Sequence, residues 1–183
     1  AAGAYTHFLH AADRLFQGVS DHDRNAHYWL GLSMGANLRD GAVGRLLYDL
    51  HKARTWPPLH SLLVGAVLAV GGIDFRLAVL PSLGAWVGAA LCAFLLARRS
   101  VPRGGTLAGL LAAGLVLTSP ALKAYATDIM LESLGACLSL LVLYLYVRAV
   151  QEPSARASTG LALGLTALFF HKYNYWMLVV VAL

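Results

Sequence analysis

Charged side chains are scarce in this chain. Only 13% of its 183 residues are Asp, Glu, Lys or Arg, 58% are hydrophobic, and the mean hydropathy is +0.64. A soluble domain carries about 25% charged residues. The shortage of charge therefore argues against an ordinary soluble domain and indicates an integral membrane protein.

Three further observations each argue against a class of site or partner. The two cysteines, Cys92 and Cys137, lie inside apolar runs, which predicts small packing residues rather than a disulfide or a metal site. The sequence has neither a glycine loop for nucleotide phosphates nor a Gly-x-Ser-x-Gly elbow. The net charge of +5 is not gathered in a basic tract, so nucleic acid is excluded as a partner.

One long polar stretch, residues 20–60, interrupts the apolar sequence and is where water, substrate and carboxylates are expected to meet. Two helices are predicted in it, the first from about Arg24 to Leu38, ended by Gly41, and the second over residues 43–50. Both are too short and too polar to span, so they are expected to lie on the membrane surface. Apolar spacing predicts that Leu30, Met34 and Leu38 form one stripe of the first helix.

The remainder of the chain is predicted to form membrane helices. Trp56-Pro57-Pro58 opens a segment of about 14 residues, 59–72, a length typical of a re-entrant helix. Residues 77–97 and 129–147 are long enough for full spans. Shorter apolar segments are expected at 107–119 (ending at Pro120), 160–170 and 175–183.

Basic residues then predict the topology. Arg98, Arg99 and Arg103 form one basic loop and Arg148 and Arg156 another, so both are expected in the cytoplasm. Residues 123–128 then face the other side, and the polar stretch faces that side too if residues 59–72 re-enter; if they span fully, the first basic loop is forced outside, against the rule. The fold class predicted is an all-α polytopic membrane protein, with residues 1–58 as an external loop carrying interfacial helices and 59–183 as a transmembrane helical module. Because the last helix stops without a polar residue, we expect the module to be incomplete at both ends.

Two acidic positions stand out as chemical candidates. Asp21-His22-Asp23 lies at the mouth of a predicted helix, where an aspartate is either an N-cap or a general base or metal ligand. Asp128 and Glu132 are predicted one turn apart at the start of a span. Asp128 suits a cap, whereas a charge as deep as Glu132 usually faces a partner or a cavity.

A basic candidate interrupts the last apolar run. His171-Lys172 precedes four polar and aromatic residues, 173–176, so Lys172 is either part of an aromatic belt or a ligand for a lipid phosphate. The histidines of the first third have no metal-ligand spacing and are predicted to be interfacial. They are His7, His10, His27, His51 and His60.

The order of these pieces resembles a known family. An acidic loop, a Trp-Pro-Pro helix entry at 56–58, an Arg-ended span, Ser119-Pro120 and Thr-Asp-Ile-Met-Leu-Glu at 127–132 come one after another. This order resembles the GT-C membrane glycosyltransferases of the protein O-mannosyltransferase and lipid A aminoarabinose transferase group (glycosyltransferase family 39 type). The resemblance covers nearly the whole chain, as the N-terminal part of that module.

The resemblance implies transfer of a sugar from a polyprenyl-phosphate donor in the membrane lipid to an acceptor protein, lipid or glycan. The active site would be extracytoplasmic, in a bacterial inner (plasma) membrane. Asp23 maps best onto the family's base, with Asp21 as rival, and Asp128 onto its second aspartate. Lys172 maps onto the donor-phosphate contact. No cofactor is expected with certainty, and a divalent metal ion stays an open alternative.

Two departures from the family pattern shift the other roles. The family's Asp-Glu pair reads Asp23-Arg24 or Asp21-His22 here, which leaves the register open. The position before the prolines, often basic in the family, is Trp56, so a phosphate contact is assigned to Arg54 or Lys52 instead. Glu132 and His22 are expected to contact and orient the catalytic groups.

Two other classes of protein remain open. A polytopic transporter or a non-catalytic scaffold subunit would use these carboxylates as helix caps or proton relays. A lipid-modifying enzyme such as an acyltransferase is less favoured, because no His-acid motif lies in a membrane helix.

Overall fold

The computed structural model describes residues 22–53 and 56–183, and every regular element in these two ranges is an α-helix. Two stretches, Phe75–Ser100 and Glu132–Gln151, are long and apolar enough to cross a membrane, and a bent helix pair makes a third if it counts as one span. The predicted all-helical fold is confirmed for the described residues, and the length and composition of these stretches are consistent with the predicted membrane spans. The helices are α1 His22–Arg39, α2 Val43–Lys52, α3 Leu59–Gly71, α4 Phe75–Ala78, α5 Leu80–Ser100, α6 Gly105–Thr118, α7 Pro120–Ala126, α8 Glu132–Gln151, α9 Ala155–His171 and α10 Tyr173–Ala182.

The apolar segments lie close to where the sequence predicts them, with one shift. Helix α3 begins directly after Pro58 and has 13 residues, which matches the short segment expected there. Helix α8 begins at Glu132 and not at Ile129, so the predicted start of this span is wrong. Residues 127–131 form a turn instead, in which the backbone N–H of Asp128 donates to the carbonyl of Tyr125. Asp128 therefore precedes the helix and is not in its first turn.

By packing, the chain divides into two compact units. Among the described residues, the first contains those up to Gly84 together with Ala124–Met130, and the second contains Ala85–Lys123 and Leu131–Leu183. This division differs from the boundary between loop and membrane module that the sequence suggests after residue 58. The short apolar helix α3 belongs with the polar helices α1 and α2 in the first unit.

Glycines form the contact between α1 and α3. A Cβ on Gly35 would lie 2.8 Å from the carbonyl oxygen of Gly65, and one on Gly65 would lie 3.0 Å from that of Gly31. Met34, between the two α1 glycines, is completely buried. The two backbones touch because three positions lack side chains, as at small-residue helix crossings in membranes. Helix α1 is therefore packed along one face and is not simply a surface helix.

Only part of the apolar stripe predicted for α1 lies on the face of the helix that is packed. Met34 is buried, but Leu38 is 38% exposed, and the indole of Trp29 is exposed as well. A pattern of large apolar residues misses this contact, because Gly31 and Gly35 contribute to it by having no side chain to bury.

Helix α2 is held through its polar side. Its Asp49 accepts hydrogen bonds from the Ser33 hydroxyl at 2.7 Å and from the Asn37 amide at 2.8 Å, both on α1. No residue of α2 is buried, and its apolar side chains Val43 and Leu47 are 64% and 59% exposed. Gly41, with φ +66°, makes the tight turn that separates the two helices.

The core of the first unit includes a residue from a distant part of the chain. Ile129, from the turn before α8, is completely buried together with side chains of α3, α4 and the residue that follows α4. This cluster consists of Val64, Leu68, Ala78, Val79 and Ile129. The turn at 127–131 is thus fixed by apolar burial on one side of Asp128.

A proline interrupts the helix pair of the second unit. Helices α6 and α7 meet at an angle of 63° at Ser119-Pro120. Proline has no backbone N–H, so it cannot donate to the carbonyl of Val116 four residues earlier. The indole N–H of Trp86 donates to that carbonyl instead, at 3.2 Å. An unpaired carbonyl in an apolar segment costs several kcal/mol, and Trp86 removes that cost here.

Helices α9 and α10 pack on α8 and are separated by one extended residue. Gly135 on α8 faces the ring of Tyr175, and Gly164 on α9 faces Val142 and Leu145 of α8. Lys172 ends α9 and begins α10 with φ −161°. Cys92 and Cys137 are free thiols, as expected.

The α1–α3 contact gives a first prediction. Gly35→Ala should destabilise the protein by about 1–3 kcal/mol, because the new methyl group meets the backbone of Gly65 and forces the helices apart. Gly44→Ala is the matched control, since nothing lies within 4 Å of the new methyl group and helix propensity should stabilise α2 by about 0.5–1 kcal/mol. Thermal unfolding of the purified chain in detergent measures both. Equal shifts for the two variants would contradict the glycine contact.

Candidate functional site

A buried ion pair lies at the centre of the first unit. Arg24 Nε donates to Asp128 Oδ1 at 2.5 Å, and Arg24 Nη2 donates to Oδ2 at 2.7 Å. The two side chains are 12% and 10% exposed, and 104 residues separate them in sequence. Arg24 lies near the start of α1, whereas Asp128 lies in the turn before α8. Two parallel N–H···O bonds of this kind fix the orientation of both groups.

Asp128 has a further bond that holds its carboxylate. Its Oδ1 also accepts the backbone N–H of Ile129 at 2.7 Å. Both carboxylate oxygens are thus occupied by donors from the chain itself. An oxygen whose lone pairs already accept hydrogen bonds is a poorer acceptor for a substrate proton. Asp128 is therefore better placed to hold Arg24 than to act as a base.

The ion pair is not explained by stability. Removing two charges from water costs several kcal/mol per ion, and replacing such a pair by apolar residues is often neutral or stabilising. Apolar residues are abundant in this chain, so a packed pair of them was available. The pair therefore indicates a role in positioning the residues around it.

Asp23 is the immediate neighbour of Arg24 in the first turn of α1 and is partly buried. The ion pair of Arg24 thereby fixes the helix start that bears Asp23. Asp21 and Arg54 lie outside the described residues, and the same holds for the side chain of His22. Among the described residues, no three His, Cys, Asp or Glu side chains are grouped to hold a metal ion.

Two histidines predicted to be interfacial are buried. His27 is 3% exposed and His60 is completely buried, with their ring centroids 5.8 Å apart. His60 Nε2 is 3.4 Å from the hydroxyl of Ser82, and Trp56 meets the His27 ring edge to face. The prediction is wrong for these two because the α1–α3 contact encloses both rings. His51, on α2, is exposed as expected, and His7 and His10 lie outside the described residues.

One residue of the polar stretch, Tyr28, has a raised pKa. Burial of the Tyr28 hydroxyl, and then the negative charge of Asp74, raise the pKa of Tyr28 above its ordinary value. Asp74 itself caps α4 by accepting the backbone N–H of Arg76 at 2.9 Å. Tyr28 thus stays a neutral hydroxyl one helical turn after Arg24.

A second ion pair lies in the second unit. Lys172 Nζ is 3.2 Å from Glu132 Oε1, and it also lies 5.4 Å from the centroid of the Tyr175 ring. The pair is about one quarter exposed, with 27% for Lys172 and 22% for Glu132. Glu132 Oε2 is buried and has no hydrogen-bond partner within residues 22–53 and 56–183. This carboxylate oxygen is thus a buried acceptor that Lys172 leaves unsatisfied.

His171 places Lys172 next to Glu132. The completely buried His171 ring donates from Nε2 to the carbonyl of Leu131 at 2.8 Å. That bond joins the end of α9 to the residue before Glu132. Lys172 follows with an extended backbone, so its side chain leaves the helix at the level of the first turn of α8.

Each carboxylate of the Asp128–Glu132 candidate thus has its own cation, Arg24 in the first unit and Lys172 in the second. The sequence indicates Glu132 and Lys172 separately, and it presents Arg24 only as a departure from a family pattern. A general rule suggests such pairing, because charges inside apolar segments nearly always have a partner. It does not name which cation belongs to which acid. No protein-family model, curated protein or solved structure matches this chain.

The buried pair gives a second prediction. Arg24→Gln should destabilise the protein by about 3–5 kcal/mol, because it leaves the Asp128 carboxylate buried without its cation. The matched control is Arg45→Gln. Arg45 is 71% exposed and lies 3.8 Å from Asp40, so its loss should cost about 0–1 kcal/mol. Thermal unfolding measures both, and the double variant Arg24→Gln/Asp128→Asn should recover part of the loss. A small effect of Arg24→Gln alone would contradict the pair.

Proposed function

We propose that the chain belongs to a membrane glycosyltransferase that moves a sugar from a polyprenyl-phosphate donor to an acceptor hydroxyl on the extracytoplasmic side. The observation that supports it best is the Arg24–Asp128 ion pair. Two aspartates matched by the family resemblance, Asp23 and Asp128, are 105 positions apart in sequence, and Arg24, the residue after Asp23, donates two hydrogen bonds to Asp128.

The reaction needs a base on the acceptor side. In this proposal Asp23 takes the proton of the acceptor hydroxyl as its oxygen forms a bond to the anomeric carbon of the sugar. The bond between that carbon and the phosphate oxygen breaks, and the polyprenyl phosphate leaves with the electron pair. Asp128 holds Arg24 and so positions the start of α1 that bears Asp23.

The reaction also needs a cation at the leaving phosphate. A positive charge lowers the barrier where negative charge develops on the leaving oxygen. Lys172 supplies that charge in the proposal, with Glu132 as the group that orients it between turnovers. A lysine in a partly buried pair is able to exchange its carboxylate for a phosphate, because Lys binds phosphate as a mobile point charge.

A scaffold or transporter subunit is the second candidate, and one observation favours it. Asp128 and Glu132 are both neutralised by a cation of the same chain, which suits ion pairs that pin helices together. In that case neither carboxylate takes part in chemistry. The two candidates differ in what a substitution of Asp23 does to sugar transfer.

Asp23→Asn should reduce sugar transfer by about 100-fold or more, because a carboxamide cannot accept the hydroxyl proton. The assay measures transfer from short-chain polyprenyl-phosphate mannose in membranes that contain the full protein. Asp40→Asn is the matched control, since Asp40 is an exposed acid of the same polar stretch, and it should leave transfer unchanged. Full activity of a folded Asp23→Asn variant would remove Asp23 as base and favour the scaffold.

Lys172→Met should raise the KM for the lipid-phosphate donor by about tenfold, because a charge-assisted bond to phosphate contributes about 1.5–3 kcal/mol. Lys172→Arg should restore most of the donor binding. Lys123→Met is the control, because Lys123 is an exposed lysine of the same unit. Unchanged kcat and KM for the donor in a folded Lys172→Met variant would contradict a contact between Lys172 and the donor phosphate.

A further inference from the structure

A basic cleft lies within the second unit, where α5 and α8 end. Its volume is about 290 Å³, and its lining residues are Leu95, Arg98, Arg99 and Tyr144. This is at the lower end of the range for ligand pockets, about 300–1,000 Å³, so it suits a head group better than a large ligand. Neither ion pair of the candidate site contributes a residue to it.

Hydrogen bonds join the two helix ends that form the cleft. Arg99 Nε donates to Gln151 Oε1 at 2.7 Å, and Arg99 Nη2 lies 2.6 Å from Glu152 Oε1. Helix α5 forms most of one of the two stretches that are long and apolar enough to span a membrane, and α8 is the other. Their basic ends therefore lie side by side at one end of the unit, which places the cleft at the level of lipid head groups.

The chain leaves positive charge in this cleft without a counterion. Glu152 forms ion pairs with Arg99, at 2.6 Å, and with Arg148, at 3.9 Å. Arg98 makes no ion pair with any residue that the structure describes, and its guanidinium carbon lies 5.9 Å from the centroid of the Phe94 ring. The hydroxyl of Tyr144 likewise has no hydrogen-bond partner in the described part of the chain. Arg98 and the phenol of Tyr144 thus line this small space with donors that no described residue occupies, next to Arg99, whose charge is already paired.

Phosphate is the group that matches these donors. Arginine binds phosphate oxygens through its planar fork of N–H donors, and a tyrosine hydroxyl adds one more donor. Leu95 lies one helical turn before the arginines, on the apolar side of the cleft, where an acyl chain would continue. Basic pockets between membrane helices bind the head groups of anionic lipids for these reasons.

We propose that this cleft binds the phosphate group of an anionic phospholipid from the leaflet at the basic end of α5 and α8. The site is separate from the proposed transfer chemistry. Glu132 is the first residue of α8, and Tyr144, the residue of α8 that lines the cleft, follows it by 12 positions, which is roughly 18 Å along the helix. The proposal stands whether or not the chain transfers sugars.

The test uses the full chain purified in a non-ionic detergent and native mass spectrometry, which counts bound lipids. Dioleoyl phosphatidylglycerol is titrated against dioleoyl phosphatidylcholine, and inorganic phosphate is added in a separate arm. The unsubstituted chain should retain one phosphatidylglycerol in preference to phosphatidylcholine. Arg98→Gln should weaken that binding by about tenfold, since it removes a charge-assisted hydrogen bond. Tyr144→Phe should weaken it less and leave the fold unchanged.

The matched control is Arg103→Gln, an exposed arginine three residues after Ser100 that does not line the cleft. It removes the same charge close to the end of α5 and should leave phosphatidylglycerol binding unchanged. Equal losses in Arg98→Gln and Arg103→Gln would overturn the proposal, because binding would then be general surface attraction. No preference for phosphatidylglycerol and no binding of inorganic phosphate would also overturn it. Binding of inorganic phosphate that Arg98→Gln abolishes, without retention of lipid, would keep the phosphate site and assign it to free phosphate.

Discussion

The Arg24–Asp128 ion pair joins two parts of the first unit, the start of α1 and the turn before α8, that lie 104 residues apart in the sequence. A guanidinium near the start of α1 and a carboxylate in the turn before α8 meet with 10–12% exposure, and each would be costly to bury alone. Because Asp128 is fixed, Ile129 next to it can enter the apolar cluster of α3 and α4. The turn that results delays the start of α8 to Glu132. The start of one of the longest apolar helices therefore depends on one polar contact.

Helix α8 has opposite chemistry at its two ends. Glu132 occupies its first turn, where the exposed N–H groups favour an anion, and Arg148 occupies its last turn, where the carbonyls favour a cation. At each end, an ion pair joins α8 or the residue after it to a residue from elsewhere in the same unit. Lys172 pairs with Glu132, and Arg99 pairs with Glu152 just beyond the other end. The apolar middle of the helix separates the proposed donor-phosphate site from the proposed phospholipid site.

The sequence predicts well the features that depend on segment length and on the scarcity of charge. The break at Lys172, the helix entry after Trp56-Pro57-Pro58 and the short segment after it are all predictable, because proline and charge interrupt apolar runs locally. The contact of α1 with α3 is not, since it depends on Gly31, Gly35 and Gly65 meeting across the chain. The burial of His27 and His60 results from that contact, so it cannot be predicted from the sequence either. Asp128 is recognisable as a candidate, but a partner 104 residues away leaves no local trace.

Trp86 and Pro120 lie far apart in the sequence, but both act on the backbone carbonyl of Val116. Pro120 removes the N–H that would have satisfied Val116, and Trp86 donates in its place. In evolutionary terms the two positions are expected to change together. A chain that replaces Pro120 by a residue with a backbone N–H no longer needs an indole at 86, and one that loses the indole while keeping the proline leaves a bare carbonyl in an apolar segment. Among relatives of this protein, the pair should therefore be inherited or lost as a whole.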